Sequence, residues 1–321
     1  MHIVDMHCDT ISRLYANGEN LYDNSGHVDL KRMKQAGYSL QNFALFINKK
    51  KTHEPYEAAR ELVKLYEREM EKNREWIAPV YTWLDFVQNE RKGKLSALLT
   101  LEEGAVCLGE LSRLQEFYRL GVRMLTLTWN YPNELGYPNL GADFVTPDTT
   151  HGLTETGIRF LEEMEKLGMI PDVSHLSDAG FYDVLKHTKK PFVASHSNAR
   201  AICPAVRNMT DDMIRRLAER GGVIGLNFCE DFLTDLSDEQ RTPEQVLEAV
   251  VCHAEHITNV GGMECLGLGS DFDGIPGNRA LPDVTSIERL MDALHKKGWK
   301  ESEIDAVMGE NVLRVYREIL H

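Results

Sequence analysis

The chain has 321 residues, of which 42% are hydrophobic, and its formal net charge at pH 7 is −14. This length and apolar content predict a globular protein with a sizeable core. The excess of acidic residues argues against binding to nucleic acid or to an anionic membrane surface, and no apolar stretch reaches the roughly 20 residues that span a bilayer. Six scattered cysteines without a Cys-x-x-Cys pair indicate reduced thiols rather than a disulfide framework.

Short apolar or β-branched runs, bounded by turn residues, predict eight strands with helices between them. Most runs are apolar on both faces, as expected for parallel strands that helices cover. The strands are predicted at 3–9, 39–47, 96–103, 122–129, 169–175, 191–196, 222–229 and 265–271. Helices are predicted at 55–76, 154–167, 177–187, 211–220 and 243–260, with two or three more after Pro282. The alternation predicts an α/β fold, a single (β/α)8 TIM-type barrel domain over 1–321, unless a miscounted strand makes it an open doubly wound sheet.

Polar side chains stand at the carboxyl ends of five of these predicted strands. The carboxyl ends of barrel strands meet at one mouth, where active sites of this fold lie. These residues are His7 and Asp9, Glu103, His175, His196 and Asp271. A stretch rich in Gly, Pro and Asn, 130–153, predicts a long loop over the same mouth.

Histidine nitrogens and carboxylate oxygens, without thiolates, suit zinc or a similar divalent ion in a catalytic site. One ion could take His7, Asp9 and Glu103, and a second ion could take Glu103, His175 and His196. Two ions that share a carboxylate permit a metal-bound hydroxide at neutral pH, with the second ion polarising the carbonyl under attack. This is the chemistry of amide hydrolysis.

Two assignments within this set concern carboxylates. Asp271 would be the proton shuttle, which takes a proton from the nucleophile and gives it to the leaving amine. Glu102 competes with Glu103 for the shared place between the ions. Strand alternation groups Glu103 with Ala97, Leu99 and Leu101 but does not say which face is inward, so both glutamates remain candidates at this point.

Other catalytic motifs are absent from the sequence. Gly267-x-Gly269 lacks the third glycine of a dinucleotide fingerprint, and there is no Walker-type loop. His253 and His256 are three residues apart and do not form the His-Glu-x-x-His zinc helix, so packing or surface roles are expected for them. No Gly-x-Ser-x-Gly elbow supports a serine nucleophile.

An ordered set of motifs runs along almost the whole chain. The set comprises His7-Cys8-Asp9, Glu103-Gly104, the segment 121–128, Asp172-Val173-Ser174-His175, Ser195-His196-Ser197, Arg207-Asn208 and Gly269-Ser270-Asp271 with Gly274. In this order and spacing the chain resembles the renal, or membrane, dipeptidase family, the M19 metallopeptidases of the amidohydrolase superfamily. Its pattern is similar to that of the bacterial-type members.

The resemblance implies an amidohydrolase-like barrel with two zinc ions and a dipeptidase activity on free dipeptides. It assigns the bridging place to Glu103 rather than Glu102, and the acid/base role to Asp271 rather than Asp273. It implies that Arg207 holds the free carboxylate of the dipeptide and that Asp271 also meets the free α-amino group. Reading both ends would restrict substrates to two residues, with L,D as well as L,L dipeptides expected. A homodimer is implied by the family alone.

The sequence departs from the mammalian pattern of the family in two respects. Mammalian members present a histidine to the substrate carbonyl where this chain has Trp129-Asn130, and Asn130 is the candidate replacement. A secretion signal and a lipid-anchor tail are not recognisable, and a cytoplasmic enzyme is therefore expected. The rival hypotheses are another hydrolase on the same metal centre, such as an N-acyl-D-amino-acid hydrolase, a lactonase or a phosphotriesterase-like enzyme, and an inactive metal-binding scaffold.

Overall fold

The computed structural model describes residues 1–139 and 146–321, and its parallel strands close into a barrel. Eight strands form the ring in the order β2-β1-β9-β8-β7-β6-β5-β4, and β2 pairs with β4 to close it. The strands are β1 Ile3–Asp5, β2 Tyr38–Phe46, β3 Ile77–Pro79, β4 Leu95–Glu102, β5 Val122–Thr126, β6 Ile170–Asp172, β7 Val193–Ala194, β8 Val223–Leu226 and β9 Leu266–Leu268. The predicted (β/α)8 barrel is confirmed.

Helices surround the ring and connect its strands. They are α1 Thr10–Asn17, α2 Leu30–Ala36, α3 Pro55–Lys72, α4 Trp83–Arg91, α5 Leu111–Arg119, α6 Glu155–Leu167, α7 Asp178–His187, α8 Asp211–Glu219, α9 Glu230–Leu233, α10 Pro243–Gly261, α11 Ile287–Lys296, α12 Glu301–Asp305 and α13 Asn311–Ile319. All five helices predicted before Pro282 are present, and three follow it. Within the described ranges, none is long and apolar enough to cross a bilayer.

The ninth strand, β3, is absent from the sequence prediction. It has three residues and ends at Pro79, so it offers neither a long apolar run nor an alternating pattern. β3 pairs with the first residues of β4, along the edge that β5 occupies further on, and it does not enter the ring. The count of ring strands is therefore unaffected.

Two apolar clusters divide the core into an outer and an inner part. The outer cluster lies between the strands and the surrounding helices and includes Ala97, Leu99 and Leu101. The inner cluster includes Leu98 and fills the lower barrel, which α13 closes with residues such as Tyr316. Along β4, therefore, odd-numbered side chains face the helices and even-numbered side chains face the barrel interior.

Candidate active site

Glu102 lies at the centre of the polar cluster in the barrel mouth. Its Oε2 is 3.1 Å from Nε2 of His7, and its Oε1 is 3.1 Å from Nε2 of His175 and 3.7 Å from Nε2 of His196. All four side chains are buried. One carboxylate oxygen is thus directed to each side of the cluster, which is the arrangement that a ligand shared between two ions requires.

Glu103 is not part of this cluster, and the expectation that it would meet the histidines is wrong in its geometry. Its Oε2 accepts hydrogen bonds from the backbone N–H of Trp129, at 3.2 Å, and from Nδ2 of Asn133, at 3.1 Å. Burial raises the pKa of Glu103 to about 7. The alternation of β4 explains the difference, because Glu102 shares the inward parity of Leu98 whereas Glu103 continues the outward series of Leu99 and Leu101.

Two aspartates complete the acidic side of the site. Oδ2 of Asp9 and Oδ1 of Asp271 each lie 4.0 Å from Nε2 of His7. The other oxygen of Asp271 accepts a hydrogen bond from Nδ2 of Asn227 at 3.0 Å, and burial raises the pKa of Asp271 to about 6. Gly274 allows the two carboxylates to approach, because a Cβ at this position would overlap an oxygen of each. A carboxyl group with a raised pKa is suited to exchanging protons near neutrality.

The backbone carries strain at two of the site residues. His175 has φ 67° and Asp271 has φ 64°, in the left-handed backbone region that residues other than glycine rarely adopt. Each such residue costs of order 1–3 kcal/mol, and residues of this kind cluster at active sites. Each residue lies three positions after the end of a ring strand, His175 after β6 and Asp271 after β9.

Hydrogen bonds determine which ring nitrogen carries the proton in two of the histidines. Nδ1 of His175 is 2.8 Å from Oδ1 of Asn130, which can only accept, so this nitrogen carries the proton. Oγ of Ser195 gives its single proton to Oδ2 of Asp172 at 2.6 Å and must therefore accept from Nδ1 of His196 at 2.7 Å. Both Nε2 atoms consequently present lone pairs to the site, 2.9 Å apart.

Asn130 orients His175, because its side-chain oxygen accepts the hydrogen bond from Nδ1 of this histidine. A substrate carbonyl would accept from the amide Nδ2 of Asn130, which this contact does not involve, so its expected carbonyl-binding role stays a prediction. The sequence did not predict that Ser195 links Asp172 to His196. A signal was available, because Ser195 directly precedes a candidate ligand histidine.

Asp5 and Asp172 are two buried aspartates that support opposite sides of the mouth, each by binding a serine. Asp5, two residues before His7, accepts the backbone N–H of Ser270 at 2.9 Å and its hydroxyl at 2.6 Å. Asp172 likewise accepts the backbone N–H of Ser195 at 2.8 Å as well as its hydroxyl. In both cases the serine directly precedes a site residue on the neighbouring strand, so each pair holds two adjacent strand ends in register.

The cluster fits divalent metal ions. The donor atoms of His7, Glu102 and His196, and those of His7, Asp9 and Asp271, each lie within 4.8 Å of one another. Among the residues that the structure describes, Nε2 of His7 and Oδ1 of Asp9 are buried and have no hydrogen-bond partner. Burial and the charge of Arg207 lower the pKa of His175 to about 4, which keeps the ring neutral as a ligand must be. Lone pairs and carboxylate oxygens that converge in this way are suited to holding a cation between them.

We expect Ser195→Ala to weaken metal binding about 10–100-fold, since the loss of such an outer hydrogen bond frees a ligand histidine to turn. A competition titration of zinc against a chelator measures this change without reference to catalysis. Ser96→Ala is the matched control, because it removes a buried hydroxyl at the amino end of β4, the end opposite Glu102. Equal zinc affinity in the Ser195 variant and the wild type would contradict the assigned role.

Arg207 lies beside the cluster and is buried. Its Nη2 donates to the backbone carbonyl of His196 at 3.1 Å, and its Nε has no hydrogen-bond partner in the described part of the chain. Within the described ranges no carboxylate lies within ion-pair distance of this guanidinium. Burial lowers the pKa of this guanidinium, and a bound carboxylate in direct contact with it would offset the cost of burying its charge.

Comparisons with known proteins show the family of the chain. The family model described as "Membrane dipeptidase (Peptidase family M19)" matches residues 1–321. An uncharacterised dipeptidase of Schizosaccharomyces pombe is 32% identical over 307 residues, which cover 92% of this chain and 72% of the relative. Two solved structures are each 29% identical and cover 100% of this chain and 99% of theirs. They are the M19 metallopeptidase called dipeptidase AC, with a TM-score of 0.92, and a Rhodobacter sphaeroides metallopeptidase, with a TM-score of 0.91, which holds a phosphinate mimic of L-Ala-D-Ala. The chain therefore belongs to the membrane dipeptidase family, peptidase family M19, and is a metallo-dipeptidase.

Proposed function

We propose that the protein hydrolyses free dipeptides, both L,L and L,D, with two zinc ions as cofactors. His7, Asp9 and Glu102 would hold one ion, and Glu102, His175 and His196 the other. When bound, such ions supply a water that is nucleophilic at neutral pH and polarise the carbonyl that it attacks. Glu102 takes the bridging place in this proposal because one of its oxygens is directed to His7 and the other to His175 and His196.

The observation that carries the proposal is the buried guanidinium of Arg207, which lies next to the metal-binding cluster and forms no ion pair with a carboxylate of the described residues. It is matched to a substrate with a free carboxylate, as the C-terminus of a dipeptide provides. A lactone or phosphotriester has no carboxylate and would gain nothing from Arg207. The charge of this residue therefore favours dipeptide hydrolysis over those rival activities.

Asp271 performs the proton transfers in this proposal. Its Oδ1 faces the cluster while Asn227 holds Oδ2, so one oxygen is free to take a proton from the attacking water. The same oxygen then gives the proton to the leaving amine. Asp271 also receives the α-amino group of the substrate, and Arg207 receives the carboxylate. A chain longer than two residues would leave one of these charges without its partner.

The hydrolysis of L,D dipeptides has support from a relative. The Rhodobacter sphaeroides metallopeptidase binds a mimic of L-Ala-D-Ala, and its fold covers the whole of this chain. We extend this stereochemistry to the present protein because Arg207 recognises a charge at the end of the substrate, not the configuration of the last residue.

Amino-acid release by the zinc-loaded protein tests the proposal. The panel contains L,L and L,D dipeptides, together with N-acetylated and C-amidated forms of the best substrate. We expect release from free dipeptides and little from either blocked form. Cleavage of the N-acetylated form would favour an N-acyl-amino-acid hydrolase instead, and no release from any dipeptide by protein with both metals bound would refute the proposal.

Replacing Arg207 by methionine should lower kcat/KM for free dipeptides at least about 30-fold, which corresponds to about 2 kcal/mol for a lost charge-assisted contact. Methionine keeps much of the side-chain volume, so the change isolates the charge. Steady-state kinetics on the best dipeptide measure the effect. Kinetics equal to those of the wild type would remove Arg207 from substrate binding.

The homodimer stays a prediction. Sedimentation velocity of the zinc-loaded protein distinguishes a dimer from a monomer of 36.5 kDa. A single monomeric species at micromolar concentration would contradict it.

A further inference from the structure

The side chain of Arg200 donates hydrogen bonds to the backbone on both sides of Arg207. Its Nε donates to the carbonyl oxygen of Asn208 at 2.8 Å, and its Nη2 donates to the carbonyl oxygen of Val206 at 3.0 Å. The two carbonyls belong to the residues immediately before and after Arg207. One side chain therefore fixes the peptide segment from which Arg207 projects.

Asp178 holds the guanidinium of Arg200 in place. The two groups form a fork, with Nη1 of Arg200 2.7 Å from Oδ2 of Asp178 and Nη2 2.8 Å from Oδ1. Nδ2 of Asn139 bonds both Oδ1 of Asp178, at 2.7 Å, and the carbonyl of Val206, at 2.8 Å. Two parallel bonds of this kind restrict orientation more strongly than a single contact does.

The pair also connects the segments that carry the metal-binding histidines. Asp178 is the first residue of α7, three residues after His175, and Arg200 follows His196 by four residues. Arg207 itself reaches back to the carbonyl of His196. The position of the guanidinium relative to the cluster is thus set from both neighbouring strand ends.

We infer that Arg200, held by Asp178, is a positioning residue that fixes the Arg207 guanidinium for the carboxylate of the substrate. The inference rests on the proposed dipeptidase function. Both side chains of the pair are largely buried, and a buried ion pair contributes little net stability because of its desolvation cost. Its geometric consequence, the placement of Arg207, is then the effect that kinetics can measure. Arg200 acts through Arg207 and does not itself contact the substrate.

The test uses the metal-loaded protein with Arg200→Met and with Asp178→Asn. We expect KM for the best free dipeptide to rise at least about tenfold with kcat changed by less than about twofold, since misplacing a binding group weakens binding without removing the acid/base residue. The C-amidated dipeptide has no carboxylate, so its competitive inhibition constant should stay the same. Arg200→Lys keeps the charge without the planar fork and provides a second variant if the methionine protein does not fold.

Arg220→Met is the matched control. Arg220 also donates to backbone carbonyls, those of Thr188 and Leu185, but it lies at the end of α8 before β8 begins, on the side of the barrel away from the mouth. Its kinetics should equal those of the wild type.

The outcomes separate the inference from the function on which it rests. A wild type that prefers free over amidated dipeptides, with Arg200 variants that keep this preference, overturns the inference alone. Equal losses toward the free and the amidated compounds would show general damage to the site and also overturn it. A wild type that makes no distinction between the two compounds refutes carboxylate recognition by Arg207, and the inference falls with it.

Discussion

Glu102→Gln is expected to abolish metal binding at stoichiometric zinc and to lower kcat/KM for dipeptides by more than about 10³-fold, because several kcal/mol of transition-state charge stabilisation are lost. Glutamine keeps the shape of the side chain but removes its charge. It also places an amide donor or a weaker oxygen against the lone pairs of His7 and His175, each 3.1 Å away. Metal analysis after gel filtration and steady-state kinetics measure the two effects.

Glu103→Gln is the matched control for this change. The two glutamates are adjacent and both are buried, so the substitutions are alike in chemistry and differ in the direction of the side chain. A glutamine oxygen can still accept the hydrogen bonds from Trp129 and Asn133, and we expect a loss of activity of less than about tenfold with both metals retained. The reverse pattern would restore the bridging assignment to Glu103.

Asp271→Asn is expected to keep both metals and to lower kcat about 10²–10⁴-fold, the usual contribution of general acid–base catalysis. The amide cannot take a proton from water or return one to the leaving amine. The bond from Asn227 can persist through the remaining side-chain oxygen, so the local geometry should change little.

Metal content decides how the Asp271 result is interpreted. Two zinc ions per chain together with lost turnover would support the acid/base role. A protein without one of its metals would reassign Asp271 as a ligand, since its Oδ1 is as close to Nε2 of His7 as Oδ2 of Asp9 is.

The choice between Glu102 and Glu103 shows where inference from the sequence stopped. A strand that is buried on both faces offers no exposed side to define inward and outward. The resemblance to the family then favoured Glu103, and the structure places Glu102 among the histidines. The polar residues of β4 held a usable signal, because Ser96, Thr100 and Glu102 share one parity while the opposite face is apolar. Helices cover the outer face, so the polar face had to be inward.

The larger features could be predicted because they repeat. Eight alternations of strand and helix define the barrel, and a ligand type at the end of a strand needs only the position of that strand. The supporting contacts could not be obtained in this way. Asn130 orients His175, and Arg200 reaches both neighbours of Arg207, through loop conformations that no periodic pattern encodes. Residues 140–145 of the predicted mouth loop lie outside the described residues.

Anomalous diffraction from crystals of the zinc-loaded protein tests the central claim most directly. We predict two zinc peaks with the carboxylate of Glu102 between them, one beside His7 and Asp9 and the other beside His175 and His196. Two peaks that share Glu103, or a single peak beside only one of these two residue pairs, would contradict the account.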